Sequence, residues 1–430
     1  MRFYRYKKYF IRPSVNEGVT EPRTVLLHRL SVSSLSSAVS REDVSNVDAF
    51  LDQHRKDAHR HLYGWCRGLD EMEFNVRLVD RPTYVLPWFL FRLSPGLYVK
   101  LLGIVAHRFS PFRVVDTVLS YFHLLYLIVF FRPKYLIFLI DALPRSLGWA
   151  CSRLGVTTIT DFGDVPSSKP ERVKRQVLEY EIITAGFELP RLWPATKEKF
   201  HRIFSGPSRD NKFPTERSDG ESVDVCVIGG FGGIFERRTS IVSDLLKRLE
   251  GEDLTVRVYG YQNGRGLGSR VLDVFRRYLD LDNIEVSFNG YSYTRPLAEE
   301  YPRVADSLQG PVYGEDFYDA FAESKIILTI PNDPQIEIGS IRPMGIFEPA
   351  AAQTLQIALD NPDTRNTFEP DEEIATFEDG EDLYEQIRQY LRNPNERERI
   401  SSNAYERFLT EYTAETQIQS LIGEISDADE

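Results

Sequence analysis

Short apolar segments alternate with longer amphipathic segments along most of this 430-residue sequence, in two separate series. The predicted strands of the first series are Thr24–His28, Phe74–Val79, Tyr135–Ile140 and Val156–Thr160. Those of the second series are Val223–Ile228, Leu254–Tyr259, Ile284–Phe288, Ile326–Ile330 and Leu355–Leu359. Strands that alternate with helices form βαβ units, in which the strands run parallel within one sheet. The sequence therefore predicts an α/β fold with two doubly wound, Rossmann-like sheets and a cleft between them.

A segment without periodic apolar residues separates the two series. Residues 205–222 are rich in Ser, Pro, Gly and charged residues, which is typical of linkers. The chain is also longer than one hydrophobic core usually serves. We therefore expect an N-terminal domain over residues 1–204, a linker over 205–222 and a C-terminal domain over 223–412. The remaining residues, 413–430, are expected to form a helix with room to reach back to the first domain, followed by an acidic tail.

The composition excludes several classes of function. The formal net charge is −12, and binding to nucleic acid depends on clustered Lys and Arg, so we expect no nucleic-acid partner. Cys66, Cys151 and Cys226 are too scattered for a disulfide framework or a Cys-x-x-Cys metal site. The basic N-terminus lacks the apolar core and the cleavage site of a secretory signal. These features favour a cytoplasmic protein, and they leave its oligomeric state open.

One apolar run raises the question of a membrane. Val118–Phe131 has about 14 residues, whereas a membrane-spanning helix needs about 20. Arg132, Pro133 and Lys134 interrupt the run before the strand that begins at Tyr135. A buried helix is the favoured interpretation, a helix face lying against a membrane is the second, and a span is the least supported. Peripheral contact with the inner face of the membrane therefore stays open.

A glycine-rich loop is predicted directly after the first strand of the C-terminal domain. Gly229–Gly233 precedes a predicted helix, and backbone N–H groups at a helix N-terminus favour a phosphate. The spacing is not Gly-x-Gly-x-x-Gly, and no acid ends the following strand, so a dinucleotide site is disfavoured. A tight turn without a ligand is the alternative interpretation. The candidate nucleotide contacts in this region are Gly230, Phe231, Gly232, Gly233, Arg237 and Gly260.

The segment between Asp316 and Thr413 carries an ordered series of motifs. A buried strand comes first, then a Phe-Glu pair that begins a helix ending in small residues, and then a Phe-Glu-Pro loop. An acidic element, a helix that begins with Asn-Pro and a Glu-Tyr-Thr ending follow. These pieces are Lys325–Ile330, Phe347–Glu348 with Ala350–Ala352, Phe368–Pro370, Thr376–Leu383, Asn393–Arg399 and Glu411–Thr413. In content and order the series resembles the C-terminal domain of GT-B glycosyltransferases, most closely the CgeB-like or glycosyl transferases group 1 family.

The resemblance covers Val223–Ile422 and implies a GT-B fold, with two Rossmann-like domains facing a cleft. It also implies transfer of a sugar from a nucleotide-diphosphate sugar, held by the C-terminal domain, to a hydroxyl acceptor held by the N-terminal domain. The acceptor is a glycan, a lipid-linked molecule or a small molecule. By the same resemblance, Glu348 accepts hydrogen bonds from the ribose hydroxyls, with Phe347 beside it, whereas an acid that only favours the helix dipole is the alternative. We expect no separate cofactor and a metal-independent reaction.

Two positions depart from the family pattern. Ser340 stands where many retaining members have the first Glu of a Glu-x₇-Glu motif, and Gly345 stands where CgeB-like chains have Arg. Arg342 is then the candidate to stabilise the departing diphosphate, and Glu337 is the nearest acid upstream. The departures leave open a catalytically inactive relative that binds a nucleotide or glycan. A GT-B nucleotide-sugar epimerase is a third interpretation.

Acidic residues follow the predicted strands of the N-terminal domain. Asp141 comes directly after Tyr135–Ile140, and Asp161 and Asp164 come after Val156–Thr160. Ligands of doubly wound sheets bind at the carboxyl ends of the strands. These three acids are therefore candidate catalytic bases or acceptor contacts, and helix capping is the alternative interpretation for each of them.

Overall fold

The computed structural model describes most of the chain in separate segments. They are residues 24–28, 60–79, 121–122, 124–139, 145–162, 174, 177–186, 189–203, 206–209, 223–262, 287–288, 291–292, 297–312, 315–340 and 343–428. Most of the predicted linker therefore lies outside the described residues.

The first sheet has six parallel strands in the order β2-β1-β3-β4-β5-β6. Their bounds are β1 Thr24–His28, β2 Asn75–Val79, β3 Tyr135–Leu139, β4 Thr157–Phe162, β5 Ile182–Ala185 and β6 Phe200–Arg202. β1 pairs with β2 on one side and with β3 on the other, so the winding direction reverses at β1. The four strands predicted for this series are confirmed, and β5 and β6 extend the sheet beyond them.

Helices cover both faces of this sheet. On one face lies α1, Arg60–Glu71. On the other lie α2, which comprises the helical residues 121–122 and 124–131, and α3, Arg145–Leu154. Short helical segments follow at α4, Leu189–Leu192, and at the 3₁₀ turn Pro194–Lys199.

The helix in the apolar run, α2, is buried along one face only. Leu124, Leu127 and Ile128 follow the i, i+3, i+4 spacing of an amphipathic helix and pack into the core beneath it. Phe122 and Tyr126 point away from that core and are exposed. The expectation of a buried helix is therefore correct for one side of α2. Within the described part of the chain, no helix is long and apolar enough to cross a membrane.

The second sheet has five parallel strands in the order β13-β12-β11-β7-β8. Their bounds are β7 Val223–Phe231, β8 Val256–Gln262, β11 Ser324–Thr329, β12 Leu355–Leu359 and β13 Ala375–Phe377. The predicted strand Ile284–Phe288 does not join this sheet. Its described residues form β9, Ser287–Phe288, which pairs antiparallel with β10, Tyr291–Ser292. The edge position next to β12 is taken by β13 instead.

The helices of the C-terminal half pack around this sheet and then leave it. Their bounds are α5 Glu236–Arg248, α6 Leu297–Glu300, α7 Pro302–Ser307, α8 Glu315–Ala322, α9 Asp333–Glu337, α10 Pro343–Ala351, α11 Pro362–Thr367, α12 Gly380–Arg392, α13 Pro394–Arg407 and α14 Ala414–Ala428. Local signals fix several starts: the Asp379 carboxylate caps α12, and Pro394 occupies the first turn of α13. A π-helical turn, Phe408–Tyr412, leads into α14.

The last helix, α14, packs against the N-terminal sheet and not against its own. Ala414, Ile418 and Ile422 are fully buried in one cluster with α1 and strands β1 to β5. Two glycines of α1, Gly64 and Gly68, allow this approach. A Cβ on Gly68 would lie 2.7 Å from the Ile418 Cγ2 atom and 2.8 Å from the Glu415 carbonyl oxygen. The two helices therefore touch nearly backbone to backbone.

A buried carboxylate fixes the start of α14. Glu415 is fully buried, and its side chain accepts hydrogen bonds from the Ser208 hydroxyl at 2.5 Å and the Arg209 backbone N–H at 3.1 Å. At the other side of the helix, the Gln419 side chain donates to the Gly68 carbonyl oxygen at 3.1 Å. The chain segment around Ser208, the helix α14 and the helix α1 are thus tied together.

The Gly68→Ala variant tests the contact between α1 and α14. The added methyl group meets the backbone of Glu415, which cannot move aside as a side chain would. We expect the free energy of unfolding to fall by about 1–3 kcal/mol, as for other overpacked sites. Urea denaturation followed by circular dichroism measures this change.

Gly423→Ala in α14 is the matched control, because a Cβ there would meet nothing within 4 Å. That variant should be neutral or stabilised by up to about 1 kcal/mol through helix propensity. Equal effects of the two substitutions would contradict the close packing.

Candidate functional site

The carboxyl ends of the two sheets face each other. Arg202 ends β6, and its guanidinium lies 2.8 Å from the Asp363 carboxylate, four residues beyond the end of β12. Arg191, which follows β5, donates to the carbonyl oxygen of Ile338, which follows β11, at 3.4 Å. Ligands of doubly wound sheets bind outside the carboxyl ends of the strands. The candidate site therefore lies where these two edges meet.

In the second sheet the strand order reverses at β7, which places the crevice between the ends of β7 and β11. The predicted glycine loop is found here, but it begins later than expected. Strand β7 continues to Phe231, so Gly229 and Gly230 are strand residues that pair with Gly260 and Tyr261 of β8. The turn itself is made by Gly232 and Gly233, with φ values of 73° and 62°. The prediction of a loop over Gly229–Gly233 is wrong for its first three residues.

Close packing within the protein explains why three of these positions are glycine. A Cβ on Gly229 would collide with the Arg238 guanidinium, and one on Gly230 would collide with the Phe235 ring. A Cβ on Gly260, at a φ of 155°, would collide with the carbonyl oxygen of Gly229. Gly230 and Gly260 are thus required by the fold itself. The side chain of Phe231 is fully buried and packs in the core of the domain.

The N-terminus of α5 already holds a carboxylate. Asp333, at the start of α9, accepts hydrogen bonds from the backbone N–H groups of Glu236 and Arg237, each at 3.1 Å. Burial raises the pKa of this carboxyl group, while the two N–H groups lower it. The N–H of Gly232 donates to the Thr239 hydroxyl at 2.8 Å. Three of the N–H donors near the predicted phosphate loop, those of Gly232, Glu236 and Arg237, are therefore engaged by the protein, the last two because α9 returns to this point.

The two arginines at the start of α5 have different surroundings. The Arg238 guanidinium donates to the carbonyl oxygens of Ile330, at 2.8 Å, and Gly230, at 3.0 Å, and lies over the Phe235 ring. It thereby joins the end of β7 to the end of β11. Arg237 is exposed on the outer side of the helix start. It stays a candidate for a negatively charged ligand.

Glu348 lies within α10 and is almost completely buried, with 2% of its surface exposed. The helix spans Pro343–Ala351, in agreement with a helix predicted from the sequence over Met344–Ala352, and the Phe-Glu pair lies inside it and not at its start. Carboxylates are rarely buried in this way unless they are held by polar groups or charges. Glu348 is therefore, like Asp363, a buried acid in a helix that follows a strand of the second sheet.

Phe347 belongs to the core. Its ring is fully buried and stacks on the Tyr412 ring, with a centroid distance of 4.8 Å. Phe368 and Phe408 complete the same aromatic cluster. The Phe347 ring is thus engaged by the core, and the predicted nucleotide contact of this residue stays a prediction. Its place beside Glu348 in the sequence gave no information about which side of α10 it occupies.

Of the three acids predicted in the N-terminal domain, Asp161 is described. It lies in β4 at the carboxyl edge, it is buried, and it accepts a hydrogen bond from the Thr184 hydroxyl at 3.0 Å. In the register of the sheet Asp161 pairs with Leu139, the last residue of β3. Asp141 and Asp164, like Arg342, lie outside the described residues.

The described part of the chain was also searched for reactive cysteines and for clusters of metal-binding side chains. Cys66, Cys151 and Cys226 are free and buried, and burial raises the pKa of each thiol, to about 12 for Cys151 and Cys226. These thiols are therefore protonated at neutral pH and are poor nucleophiles. Across the described ranges, no three His, Cys, Asp or Glu side chains are placed to hold a metal ion.

Comparison with known proteins shows which family the C-terminal half of the chain resembles. The family model described as glycosyl transferase-like matches residues 237–423, which include most of α5, β11, Glu348 and most of α14. We call this matched part of the chain the glycosyl transferase-like domain. The match agrees with the resemblance seen in the motif series, although the narrower CgeB-like grouping stays a prediction. Among curated proteins, none matches this sequence.

Two solved structures have a fold similar to that of this chain over nearly its whole length. A glycosyltransferase from Rickettsia africae is 13% identical, with a TM-score of 0.54, over 95% of this chain and 98% of its own. A sucrose-phosphate synthase from Thermosynechococcus elongatus is 12% identical, with a TM-score of 0.51, over 94% of this chain and 98% of its own. The predicted GT-B fold, with two Rossmann-like domains, is confirmed.

The glycosyl transferase-like domain has neutral residues at both positions where it departs from the family pattern. Ser340 is buried, and its backbone N–H donates to the Gln335 carbonyl oxygen at 2.8 Å. Gly345 is held through its carbonyl oxygen, which accepts from Thr329 at 3.1 Å and from Gln356 at 2.9 Å. A Cβ on Gly345 would come no closer than 3.7 Å to Thr329. The start of α10 is thus anchored to the sheet, and a Cβ at position 345 would make only an ordinary van der Waals contact.

Two residues of the edge were not found from the sequence, Arg202 and Asp363. Asp363 is fully buried. The Nη2 atom of Arg202 lies 2.8 Å from the Oδ1 atom of Asp363, although the two atoms do not form an aligned hydrogen bond. Their contact joins the N-terminal domain to the glycosyl transferase-like domain. Asn361-Pro362 does signal the start of a helix, but nothing in the sequence indicates which residue of the other domain faces it.

Arg202→Ala tests this ion pair. The variant leaves the buried Asp363 carboxylate without its counter-charge, so we expect a loss of about 3–5 kcal/mol in the free energy of unfolding. Asp363→Ala should cost less, because the Arg202 side chain is 22% exposed and water can solvate it. Urea denaturation of both single variants and the double variant gives the coupling energy. The double variant should be more stable than Arg202→Ala, and additive losses would contradict the pair.

Proposed function

We propose that the chain is a glycosyltransferase that moves a sugar from a nucleotide-diphosphate sugar to a hydroxyl acceptor in the cytoplasm. One observation carries the proposal: a glycosyl transferase-like domain meets a second parallel sheet carboxyl edge to carboxyl edge, as the contact from Arg202 to Asp363 establishes. A transfer reaction needs two substrates brought together and shielded from water. Two facing sheet edges offer one surface for each substrate.

The donor is assigned to the C-terminal edge because of Glu348. A carboxylate can accept hydrogen bonds from two neighbouring hydroxyls, and such charge-assisted bonds are short and strong. The ribose of a nucleotide presents such a pair of hydroxyls. Glu348 is buried in a helix that follows β11 and whose start is anchored at Gly345, so its position is fixed before a ligand arrives. Positive charge for the diphosphate is assigned to Arg237 and to Arg342.

The acceptor is assigned to the N-terminal edge, with Asp161 as the described acid. A general base must carry negative charge and lie within hydrogen-bond reach of the attacking hydroxyl. Asp161 sits at the carboxyl end of β4 and is already oriented by the Thr184 hydroxyl. Asp141, two residues beyond the strand that pairs with Asp161, is the second candidate. The acceptor is proposed to be a glycan, a lipid-linked molecule or a small molecule.

A catalytically inactive relative is the competing function, and specific observations favour it. Ser340 and Gly345 bring no charge to positions where the family pattern has Glu and Arg, and Asp333 fills the N-terminus of α5 with a negative charge. Such a protein would still bind a nucleotide or a glycan. The two functions differ in turnover and not in donor binding.

Turnover of radiolabelled UDP-, GDP- and dTDP-sugars separates the two functions. We expect release of nucleotide diphosphate from one of these donors, increased by a hydroxyl acceptor and unaffected by EDTA, since charged side chains and not a metal are proposed to stabilise the leaving group. Loss of activity in EDTA with recovery on adding Mn²⁺ would refute metal independence alone. Donor binding without turnover, across a panel of glycan and lipid-linked acceptors, would establish the inactive relative.

Glu348→Gln tests the donor assignment. The amide keeps the shape of the side chain but loses the charge and one acceptor oxygen, so we expect donor affinity to fall about ten- to hundredfold. Isothermal titration calorimetry with the donor that wild-type protein binds measures this loss. Glu385→Gln, at an exposed position of α12, is the matched control and should bind as wild type does. Unchanged affinity of Glu348→Gln would remove the ribose contact.

A further inference from the structure

The outer side of α2 is aromatic and exposed. Phe122, Tyr126, Val129 and Phe130 recur at helical spacing, opposite the side that packs into the core. The exposed fractions of Phe122 and Tyr126 are 61% and 60%. The rings of Tyr126 and Phe130 stack on each other at 5.6 Å, in contact with solvent. Exposed aromatic residues that form a continuous patch generally mark an interaction surface.

A second helix on the same face of the sheet also exposes an aromatic residue. The inward residues of α3, Leu147 and Cys151, share one core cluster with those of α2, so both helices cover the same face of the sheet. The outward residue Trp149 is the most exposed large apolar side chain of the described residues, at 65%. The guanidinium of Arg153 lies over its ring, at 5.6 Å from the centroid. We name Phe122, Tyr126, Val129, Phe130 and Trp149 the aromatic face.

The helices that carry the aromatic face lie in a part of the sequence with a small basic excess. Residues 116–161 contain four basic residues, Arg132, Lys134, Arg145 and Arg153, and three acids, Asp116, Asp141 and Asp161, in a chain whose formal net charge is −12. Arg132 is exposed directly after α2, and Arg153 is exposed in the last turn of α3. The described acid Glu181 is close enough to raise the pKa of the buried Cys151 thiol. Two exposed arginines thus lie at the C-terminal ends of the two helices that carry the aromatic face.

We propose that the aromatic face docks on an anionic membrane surface. Tyr and Trp favour the headgroup region of a bilayer, where the ring is partly buried and its polar atom stays wet, and apolar side chains such as Phe enter the acyl boundary. Lys and Arg beside them are attracted by the negative surface potential of anionic lipids. A face with both features, on helices that do not cross the bilayer, fits binding in the plane of the interface.

A second copy of the chain is a poorer occupant of the same face. In a two-fold symmetric dimer each patch meets itself, so Arg132 and Arg153 of one copy would approach those of the other. Like charges brought together in this way oppose association. An anionic lipid surface meets the same arginines with the opposite charge. The proposal does not rest on sugar transfer, because the aromatic face is separate from the carboxyl edges that form the candidate site.

Vesicle flotation with the full-length protein tests the proposal, without donor or acceptor. The vesicles are phosphatidylcholine, with and without about one third phosphatidylglycerol. We expect wild-type protein to float with the anionic vesicles and to stay behind with the neutral ones. The triple variant F122Q/Y126Q/F130Q should lose at least about tenfold in binding, since its apolar anchor is gone. Arg153→Gln should lose about fivefold, as for one basic residue near an anionic surface.

Matched controls lie in the C-terminal domain. Tyr261→Gln/Leu409→Gln removes exposed apolar side chains, and Arg303→Gln removes an exposed arginine; both should bind as wild type does. All variants should unfold at the wild-type urea concentration, because the substituted side chains are exposed.

Three outcomes would overturn the proposal. The first is wild-type protein that stays behind with anionic vesicles at low salt. The second is a triple variant that still floats as wild type does. The third is a triple variant whose mass by light scattering falls from dimer to monomer while no form of the protein binds vesicles, which would assign the face to a second copy. None of these outcomes bears on donor turnover.

Discussion

The close packing of α14 against α1 is the contact on which the arrangement of the two sheets depends. Gly64 and Gly68 remove the side chains that would keep the helices apart, and the buried Glu415 carboxylate fixes where α14 begins. The last helix of the chain thereby completes the core of the first sheet. Together with the pair of Arg202 and Asp363 at the carboxyl edges, this contact places the two substrate surfaces opposite each other.

The sequence predicts the fold well where the signal is local. Alternating apolar strands and amphipathic helices are enough to indicate two doubly wound sheets, and the motif series around Glu348 indicates the glycosyl transferase-like domain. Strands β5 and β6 were not predicted because they have only 4 and 3 residues. The position of Ile284–Phe288 was wrong because strand propensity does not determine which strand pairs with which.

The candidate site is less predictable, because it depends on contacts between residues distant in sequence. Asp333 occupies the amides of α5 only because α9 returns to that point after β11. Phe347 was assigned to the nucleotide from its place beside Glu348, yet its ring packs against Tyr412 in the core. Gly229 and Gly230 have the composition of a phosphate loop, whereas their actual constraint is the space taken by Arg238 and Phe235. A sequence motif shows which residue types are present, but the direction in which each side chain points depends on the fold.

The position of α14 has a consequence for how this chain is made. The N-terminal sheet is synthesised before the second domain, but Ala414, Ile418 and Ile422 of its core follow that domain in the sequence. During synthesis of the whole second domain, the apolar side of α1 and the strands beneath it stay uncovered. The N-terminal domain is therefore completed only after the second domain has been made, and a chain that stops short of α14 leaves that surface open to chaperones and proteases.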